Sequence, residues 1–245
     1  MELTNRTIVI TGATSGIGLA LTLKLTGQGN RVVAVGRSVE KLEELESSTK
    51  NVMPVRCNLD AKGDVIALAQ HINALAEPVS VLVNNAAVQF TPKFIDADFS
   101  FDGIETEITT NFTAVAWLTS LMLPALLECR SGSAIVFLSS GLAIYPKTSS
   151  AIYSATKAAI HSLSQSLRYQ LEGTSVRVME ILLPLVDTGM TEGRGDGKIS
   201  PDRAAEEIII SIQKERDEHF VGKAGLLPLI SRISPSITKR ILKSS

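Results

Sequence analysis

The sequence predicts an α/β fold: a doubly wound, three-layer sandwich with a central parallel sheet of about seven strands and helices on both faces. Runs rich in β-branched residues alternate with helical patterns along most of the chain, which is typical of a parallel sheet with crossover helices. A glycine-rich turn joins the first run to the first helical pattern. The 245 residues suit one large α/β domain or two small ones, and neither a linker nor a repeat divides them.

Six runs of apolar and β-branched residues are predicted as strands. These runs cover residues 7–10, 31–35, 52–56, 79–83, 133–138 and 175–183. Five stretches with helical character are predicted at residues 17–26, 39–47, 65–76, 106–127 and 153–171. Gly27 and Gly29 follow the first helix, as glycines commonly do at helix C-termini. Ser38 is placed to cap the second helix.

Composition argues against several classes of function. The chain is 44% hydrophobic and 20% charged, as expected of a folded globular protein. A formal net charge of -1 gives no reason to expect nucleic acid. The first residues lack the pattern of a secretion signal, and no run reaches the roughly 18 apolar residues of a membrane span. We therefore expect a cytoplasmic protein with no nucleic-acid partner and no integral membrane span.

The two cysteines, Cys57 and Cys129, belong neither to a Cys-x-x-Cys pair nor to a histidine cluster. We predict no metal site and two reduced, buried thiols.

One domain is predicted to span residues 1–245, with two less regular segments. Residues 189–200 lack an apolar period and read as a mobile loop, so we assign residues 187–203 to a substrate loop. The tail, residues 222–245, is basic among leucines and isoleucines. It can cap the sheet, form a subunit contact or touch a membrane surface. Pro228 and Pro235 would break a long helix there, which weakens the membrane alternative.

The glycine-rich turn at residues 11–18 has the spacing Gly-x-x-x-Gly-x-Gly. It follows a strand and opens a helix, the place where a dinucleotide pyrophosphate meets helix N-terminal amides in a Rossmann-type fold. The alternative is a glycine-rich connection that binds nothing. The predicted cofactor contacts here are Gly12, Thr14, Ser15, Gly16, Ile17 and Gly18.

The end of the second strand distinguishes the two nicotinamide dinucleotides. An acidic residue there would bind the ribose 2′-hydroxyl of NAD. This chain instead has Gly36, Arg37 and Ser38, and an arginine with a hydroxyl can hold a 2′-phosphate. The sequence therefore favours NADP(H) over NAD(H), unless Arg37 is simply a solvated surface side chain.

Tyr153 and Lys157 lie four residues apart in a predicted helix, so their side chains share one face. An ammonium group beside a phenol favours the phenolate, which would suit a general acid–base. This spacing is common on helices and is weak evidence alone.

Four motifs in one order resemble the short-chain dehydrogenase/reductase family. They are the glycine turn, Asn84-Asn85-Ala86-Ala87, Ser139-Ser140 and Tyr153-x-x-x-Lys157. Strings around Pro184, Ser140 and His161 are similar to the DltE-like branch, which implies no defined substrate. The resemblance covers about residues 7–191.

The resemblance implies a catalytic set of Asn111, Ser140, Tyr153 and Lys157. Ser140 is chosen over Ser139 because it lies thirteen residues before the tyrosine. Tyr153 would exchange the proton, Ser140 would stabilise the developing alkoxide, and Lys157 would lower the tyrosine pKa and hold the nicotinamide ribose. Asn111 would offer a backbone carbonyl to a water relay.

The resemblance also implies further cofactor contacts. They are Asn58, Leu59, Asn85, Ala86, Ala87, Pro184, Val186 and Thr188, beside Tyr153 and Lys157. Asn58 would accept a hydrogen bond from the adenine amino group. Ala87 and Leu185 stand where the family usually has glycine, which leaves the geometry after Pro184 open.

The implied reaction is hydride transfer between NADP(H) and a carbonyl or alcohol substrate. A nucleotide-binding regulatory protein or a non-redox enzyme on the same fold is the alternative.

Substrate contacts are expected from residues 88–101, 142–148 and 189–200, with Phe90, Leu142, Ile144 and Met190 making a partly apolar pocket. His161 is expected to be a helix-packing or interface residue and not a catalyst. A homodimer or homotetramer is implied, with Val115, Ala116, Trp117 and Leu118 on one interface.

Overall fold

Seven parallel strands form the central sheet in the computed structural model of the protein, which describes residues 1–90, 92–97, 99 and 101–226. The strands are β1 (Thr7–Thr11), β2 (Arg31–Gly36), β3 (Val52–Arg56), β4 (Val79–Asn84), β5 (Ser133–Ser140), β6 (Val176–Leu183) and β7 (Glu218–Phe220). They lie in the order β3-β2-β1-β4-β5-β6-β7, and every neighbouring pair is parallel. The predicted fold class is confirmed.

Helices cover both faces of this sheet. They are α1 (Gly16–Gly27), α2 (Val39–Ser48), α3 (Lys62–Asn73), α4 (Asp102–Ile108), α5 (Ala114–Glu128), α6 (Ala151–Gln170) and α7 (Pro201–Gln213). Side chains of α1, α2 and α7 share one core cluster, and those of α3, α5 and α6 share the other. Because both faces are covered, β1 and β4 are buried along their whole length, which explains why β1 is wholly β-branched and why valine recurs at every second position of β4.

The third helix differs from its predicted bounds by three residues at each end. It begins at Lys62 and ends at Asn73. Asp64 lies in its first turn and accepts the N–H of Asn58 at 2.9 Å, so a carboxylate stabilises this helix start. The first residues of α3 are polar or glycine, so a prediction based on apolar spacing began the helix too late.

The long apolar helix is interrupted by a π turn. Residues Thr109–Thr113 widen the helix between α4 and α5. The whole stretch Asp102–Glu128 is long and apolar enough to cross a membrane by length and composition. The core helix of a folded domain passes the same test. Here Leu118, Met122 and Leu126 are buried against the sheet.

Two of the four residues predicted at a subunit interface are buried inside the chain. Val115 and Leu118 belong to the core, so they are not available to a partner. Trp117 is half-buried, and the Lys62 ammonium lies 5.5 Å from the centre of its ring.

Helix α7 and strand β7 complete the fold and were not predicted as elements. Ser200 caps α7 by accepting the N–H of Arg203 at 3.1 Å, and Pro201 occupies the first turn. Ile208 and Ile212 are buried four residues apart on one face. Residues 201–203 of the predicted substrate loop belong to this helix.

The rest of that loop is tied to the sheet edge. Val186 forms an isolated parallel bridge with Ile199, and residues Gly189–Thr191 form one 3₁₀ turn. At the end of the described chain, Gly222–Leu226 form another 3₁₀ turn. The remainder of the predicted basic tail, residues 227–245, lies outside the described residues.

Candidate active site

A cleft of about 1320 Å³ opens along the carboxyl ends of the strands. It lies where the strand order reverses between β1 and β4, the expected place for a ligand in a doubly wound sheet. Nearly all predicted site residues line it: Gly12, Thr14, Ser15, Gly16, Ile17, Arg37, Ser38, Asn58, Leu59, Asn85, Ala86, Ala87, Ser140, Tyr153, Lys157, Pro184, Val186 and Thr188. Two predicted residues, Gly18 and Asn111, do not line it.

The glycine turn presents backbone N–H groups to the cleft. Gly12 and Gly16 have φ angles of 67° and 51°, which side chains other than glycine rarely adopt. Ser15 begins α1 without a side-chain cap, and the first turn has no acidic residue. Thr188 packs so closely over the turn that a Cβ on Gly16 would lie 2.9 Å from its Cγ2. The open helix end is therefore suited to an anion.

Gly18 acts from behind the turn. A Cβ at this position would lie 2.1 Å from the carbonyl oxygen of Gly12 and 2.6 Å from Nδ2 of Asn85. Asn85 in turn donates to the carbonyl oxygens of Thr11 at 2.7 Å and Gly12 at 3.2 Å. Gly18 thus permits the close contact of α1 with the turn, and Nδ2 of Asn85, a residue of the cleft lining, fastens the turn.

The end of the cleft beside β2, which is predicted to bind adenosine and is here called the adenosine end, carries two free cations. Arg37 and Lys41 are exposed and form no side-chain hydrogen bond or ion pair within the described part of the chain. Ser38 caps α2 by accepting the Lys41 N–H at 3.2 Å, and its hydroxyl donates to Glu40 at 2.8 Å. Glu40 is outside the cleft lining. Lys41 was missed by the sequence reading, although it lies one helical turn after Arg37.

Asn58 and Cys57 also line this end, and the polar atoms of both are constrained by the fold. The Asn58 side-chain oxygen accepts the N–H of Asp60 at 3.3 Å, so the expected adenine contact would share this acceptor. Cys57 is buried, and burial raises the pKa of its thiol to about 11. Both cysteines are buried and free, as predicted.

Lys157 lines the end of the cleft that is predicted to be catalytic. Its Nζ donates to the carbonyl oxygen of Leu138 at 2.8 Å and lies 5.5 Å from the centre of the Tyr153 ring. Burial lowers the pKa of Lys157 to about 8, and the carboxylate of Glu180 opposes that shift. The ammonium is therefore charged at neutral pH.

The pKa of Tyr153 shifts opposite to the expected direction. Burial raises it, the carboxylate of Glu107 adds to the increase, and Arg194 opposes it. The cation of Lys157 faces the ring centre, where it does not offset the loss of solvation of the hydroxyl. The resting phenol is thus protonated.

The two adjacent serines at the end of β5 differ in exposure. Ser139 is 3% exposed, and its hydroxyl has no partner among the described atoms. Ser140 is half-buried, and its oxygen accepts the N–H of Leu142 at 3.2 Å. Only Ser140 combines exposure with a hydroxyl hydrogen left to donate, which agrees with its choice over Ser139.

Asn111 lies in the π turn and is buried. Its amide accepts from the N–H of Val88 and donates to the carbonyl of Val88, both at 2.8 Å, and it donates to Thr156 at 3.3 Å. The side chain thus positions the loop after β4 against α6. The suggested relay through its backbone carbonyl stays a prediction.

The carboxylate that acts on Lys157 belongs to Glu180. Glu180 is fully buried and contacts Nδ1 of His161 at 2.6 Å and the hydroxyl of Ser164 at 3.2 Å. Its Oε1 has no partner in the described structure. His161 is one turn beyond Lys157 and binds this carboxylate inside the fold, in keeping with the packing role expected of it.

The substrate end of the cleft holds polar residues that the sequence reading missed. Gln89, Lys147 and Arg194 line it with Leu142 and Met190. Each belongs to a segment predicted to contact substrate, but no local pattern marks the individual side chain. The other two apolar candidates, Phe90 and Ile144, lie outside the cleft lining.

Comparison with known proteins identifies the family. The family model described as short chain dehydrogenase matches residues 6–198, most of the chain. The chain belongs to the short-chain dehydrogenase/reductase family. It is an oxidoreductase, and the predicted resemblance is confirmed.

Curated relatives extend over most of this dehydrogenase/reductase. The uncharacterized oxidoreductase DltE of Bacillus subtilis (strain 168) is 38% identical over 198 residues, which cover 80% of this chain and 77% of that protein. Sulfoacetaldehyde reductase 2 of Chromohalobacter salexigens is 33% identical over 225 residues, covering 90% of this chain and 88% of that one.

Solved structures show the same fold. A short chain dehydrogenase from Burkholderia cenocepacia in complex with NADP has a TM-score of 0.88 at 24% identity, with 99% of each chain covered. A family member from Burkholderia phymatum in complex with NAD has a TM-score of 0.84 at 22% identity, covering 98% of this chain and 96% of that one. These two neighbours hold different nicotinamide cofactors.

Proposed function

We propose that this enzyme is an NADP(H)-dependent oxidoreductase that interconverts a carbonyl compound and an alcohol, with Tyr153 as its general acid–base. The observation that carries the proposal is the shared cleft, which Tyr153, Lys157 and Ser140 line together with the glycine turn. When bound, the nicotinamide supplies the hydride for reduction or accepts it in oxidation. Nothing in the described residues favours the regulatory or non-redox alternative.

The residues of the cleft fit a dinucleotide. The uncapped start of α1 supplies N–H donors for a pyrophosphate. Gly12 and Gly16 let the backbone approach it closely. At the other side of the cleft, Lys157 would hold the nicotinamide ribose, and Val186 and Thr188 would border the nicotinamide and pyrophosphate.

The preference for NADP(H) rests on this chain's own cations, since the structural neighbours include both cofactors. Arg37 and Lys41 lie at the end of β2 and line the cleft, and neither forms an ion pair with a carboxylate of the described residues. A ribose 2′-phosphate would accept charge-assisted hydrogen bonds from both. NAD(H) lacks this phosphate, so it would form no such charge-assisted hydrogen bonds with the two cations.

The proton would move from Tyr153. Its raised pKa keeps the phenol protonated at neutral pH, the form that a reduction requires. As the carbonyl carbon receives hydride, the phenolic O–H bond breaks and a new O–H bond forms on the substrate oxygen. The charge on Lys157 stabilises the phenolate left behind, and in oxidation the proton returns.

Ser140 would stabilise the substrate oxygen. Because its own oxygen accepts from Leu142, its hydrogen is directed elsewhere and can be donated to the developing alkoxide. One such donor typically contributes about 10²- to 10³-fold in rate.

Exchange of Tyr153 for phenylalanine tests the function. We expect kcat for an aldehyde or ketone to fall by about 10²- to 10⁴-fold, while NADPH binding, followed by nicotinamide fluorescence, stays close to wild type. Tyr169→Phe is the matched control because Tyr169 is on the same helix and 75% exposed. Wild-type turnover in Tyr153→Phe would remove the assigned role.

We also propose a cytoplasmic homodimer or homotetramer. The support is the outer face of α5, where Leu121 and Leu127 are 36% and 42% exposed. Light scattering of the full chain would measure the oligomer, and a monomer at micromolar concentration would contradict this proposal.

A further inference from the structure

Two cations in the wall of the cleft have no carboxylate partner. Arg194, between β6 and α7, and Lys147, before α6, line the cleft together with Tyr153. Across the described ranges, neither forms an ion pair with an aspartate or glutamate. Both residues are half-buried, so water screens their charges less than at the surface. Such an arrangement attracts an anion from outside the protein.

The guanidinium of Arg194 is held in place by neutral groups. Its Nη1 donates to Oε1 of Gln89 at 2.8 Å, and its Nη2 donates to the Gln89 carbonyl at 3.4 Å. Gln89 is itself fixed, because its Nε2 donates to Ser150 at 2.9 Å. A guanidinium has five N–H donors, and these bonds use two. The remaining donors suit a planar or tetrahedral oxyanion.

Lys147 approaches the same region without a hydrogen-bond partner in the described structure. Burial lowers its pKa, and the positive charge of Arg194 lowers it further. The second cause shows that the two cations repel each other. An anion between them would relieve that repulsion and gain two charged partners at once.

The nearby carboxylates of the described residues form no ion pair with these two cations. Glu107 is 3% exposed, accepts the N–H of Phe90 at 2.8 Å and lies outside the cleft lining. Burial raises its pKa, and the charge of Arg194 opposes that increase, so Glu107 acts on Arg194 only at longer range. Asp196 lines the cleft but is exposed and pairs with neither cation.

We propose that the substrate carries a carboxylate or sulfonate near its reacting carbon, and that Arg194 and Lys147 bind this anion while Tyr153 and Ser140 face the substrate oxygen. The reaction itself rests on the function proposed above. Anion binding does not, and it can be measured without turnover.

The binding test uses calorimetric titration of the full-length protein with succinate and with its neutral counterpart succinamide. We expect succinate alone to bind, and its affinity to fall about tenfold to a hundredfold in Arg194→Gln or Lys147→Gln. Arg203→Gln is the control, because Arg203 is exposed and pairs with Glu207 at 2.6 Å. Absence of succinate binding, or an equal loss of affinity in the control, would overturn the anion site.

The turnover test compares 4-oxobutanoate and sulfoacetaldehyde with neutral butanal in the presence of NADPH. We expect kcat/KM to be at least tenfold higher for the two anionic aldehydes, and this ratio to fall toward one in the Arg194→Gln, Lys147→Gln double variant. A preference for butanal that the double variant does not change contradicts the inference. If no aldehyde or ketone is reduced while succinate binds as expected, the proposed reaction fails and the anion site stands.

Discussion

The two ends of the cleft are built from different parts of the chain. At the glycine turn the surface is mostly backbone, placed by β1 and α1 and fixed by contacts such as that of Gly18 with the Gly12 carbonyl. At the substrate end the surface is mostly side chain, with Gln89, Lys147 and Arg194 arriving from three separate connections.

This difference suggests that the backbone surface determines cofactor binding and the side-chain surface determines the choice of substrate. A backbone surface binds what every dinucleotide shares, and it cannot change without moving a helix. A side-chain surface can change by one substitution while the sheet stays intact. We therefore expect damage at the first end to affect folding and cofactor binding, and damage at the second to affect the choice of substrate.

Gly18→Ala should give the largest effect. The added Cβ would lie 2.1 Å from a carbonyl oxygen, so α1 must move away from the turn, and we expect a loss of about 3 kcal/mol or more in the free energy of unfolding. Urea denaturation measures this loss. Gly27→Ala is the control on the same helix, since its Cβ would meet nothing within 4 Å and alanine there should be neutral or stabilising. Equal stability of the two variants would show that the backbone end tolerates change.

The cations of the adenosine end come next. Arg37→Gln combined with Lys41→Gln should raise the Kd for NADPH about tenfold to a hundredfold, because charge-assisted hydrogen bonds to the 2′-phosphate are lost. The Kd for NADH should change little. Fluorescence titration measures both, and Lys50→Gln, an exposed lysine outside the cleft, controls for net charge. Parallel weakening of both cofactors would argue against phosphate recognition.

The smallest predicted effect concerns pH. In the proposed mechanism a charged Lys157 stabilises the Tyr153 phenolate, so we expect carbonyl reduction to decline as pH rises through about 8. The Glu180 carboxylate opposes the lowering of that pKa, so Glu180→Gln should lower it further and move the decline to lower pH. Activity at pH 8 should then fall about threefold to tenfold, and less at pH 6.

A pH–rate profile for reduction at saturating NADPH measures this shift. Glu172→Gln is the control because Glu172 is exposed and lies outside the cleft lining. A profile that Glu180→Gln leaves unchanged would mean that this carboxylate does not govern the lysine.

The sequence was sufficient for the parts of the molecule that local physics dictates. Parallel strands buried on both faces need continuous β-branched runs, so six of the seven strands were visible. Gly12 and Gly16 occupy left-handed backbone positions, and their spacing therefore marked the turn. The short edge strand β7 has three residues, none of them β-branched, and escaped the pattern.

What could not be predicted depends on contacts between distant residues. Arg194 and Lys147 are 47 positions apart; both lie in segments predicted to contact substrate, but no local pattern marks either side chain or pairs the two. The pKa of Tyr153 was expected to fall because a lysine lies four residues away. In the fold, burial of the hydroxyl outweighs that neighbour. Helix α7 was missed although the sequence contains its signals: a capping serine, a proline in the first turn and isoleucines at helical spacing.

The amide of Asn111 gives Val88 the two hydrogen bonds that a neighbouring strand would give, although the loop has already left the sheet. Its third bond reaches Thr156, the residue before Lys157. One side chain thus joins a loop, a π turn and a helix that lie 23 and 45 positions apart in sequence. For these segments to open separately, the shared amide would have to release them, so we expect them to open together, as a single cooperative unit of the native state.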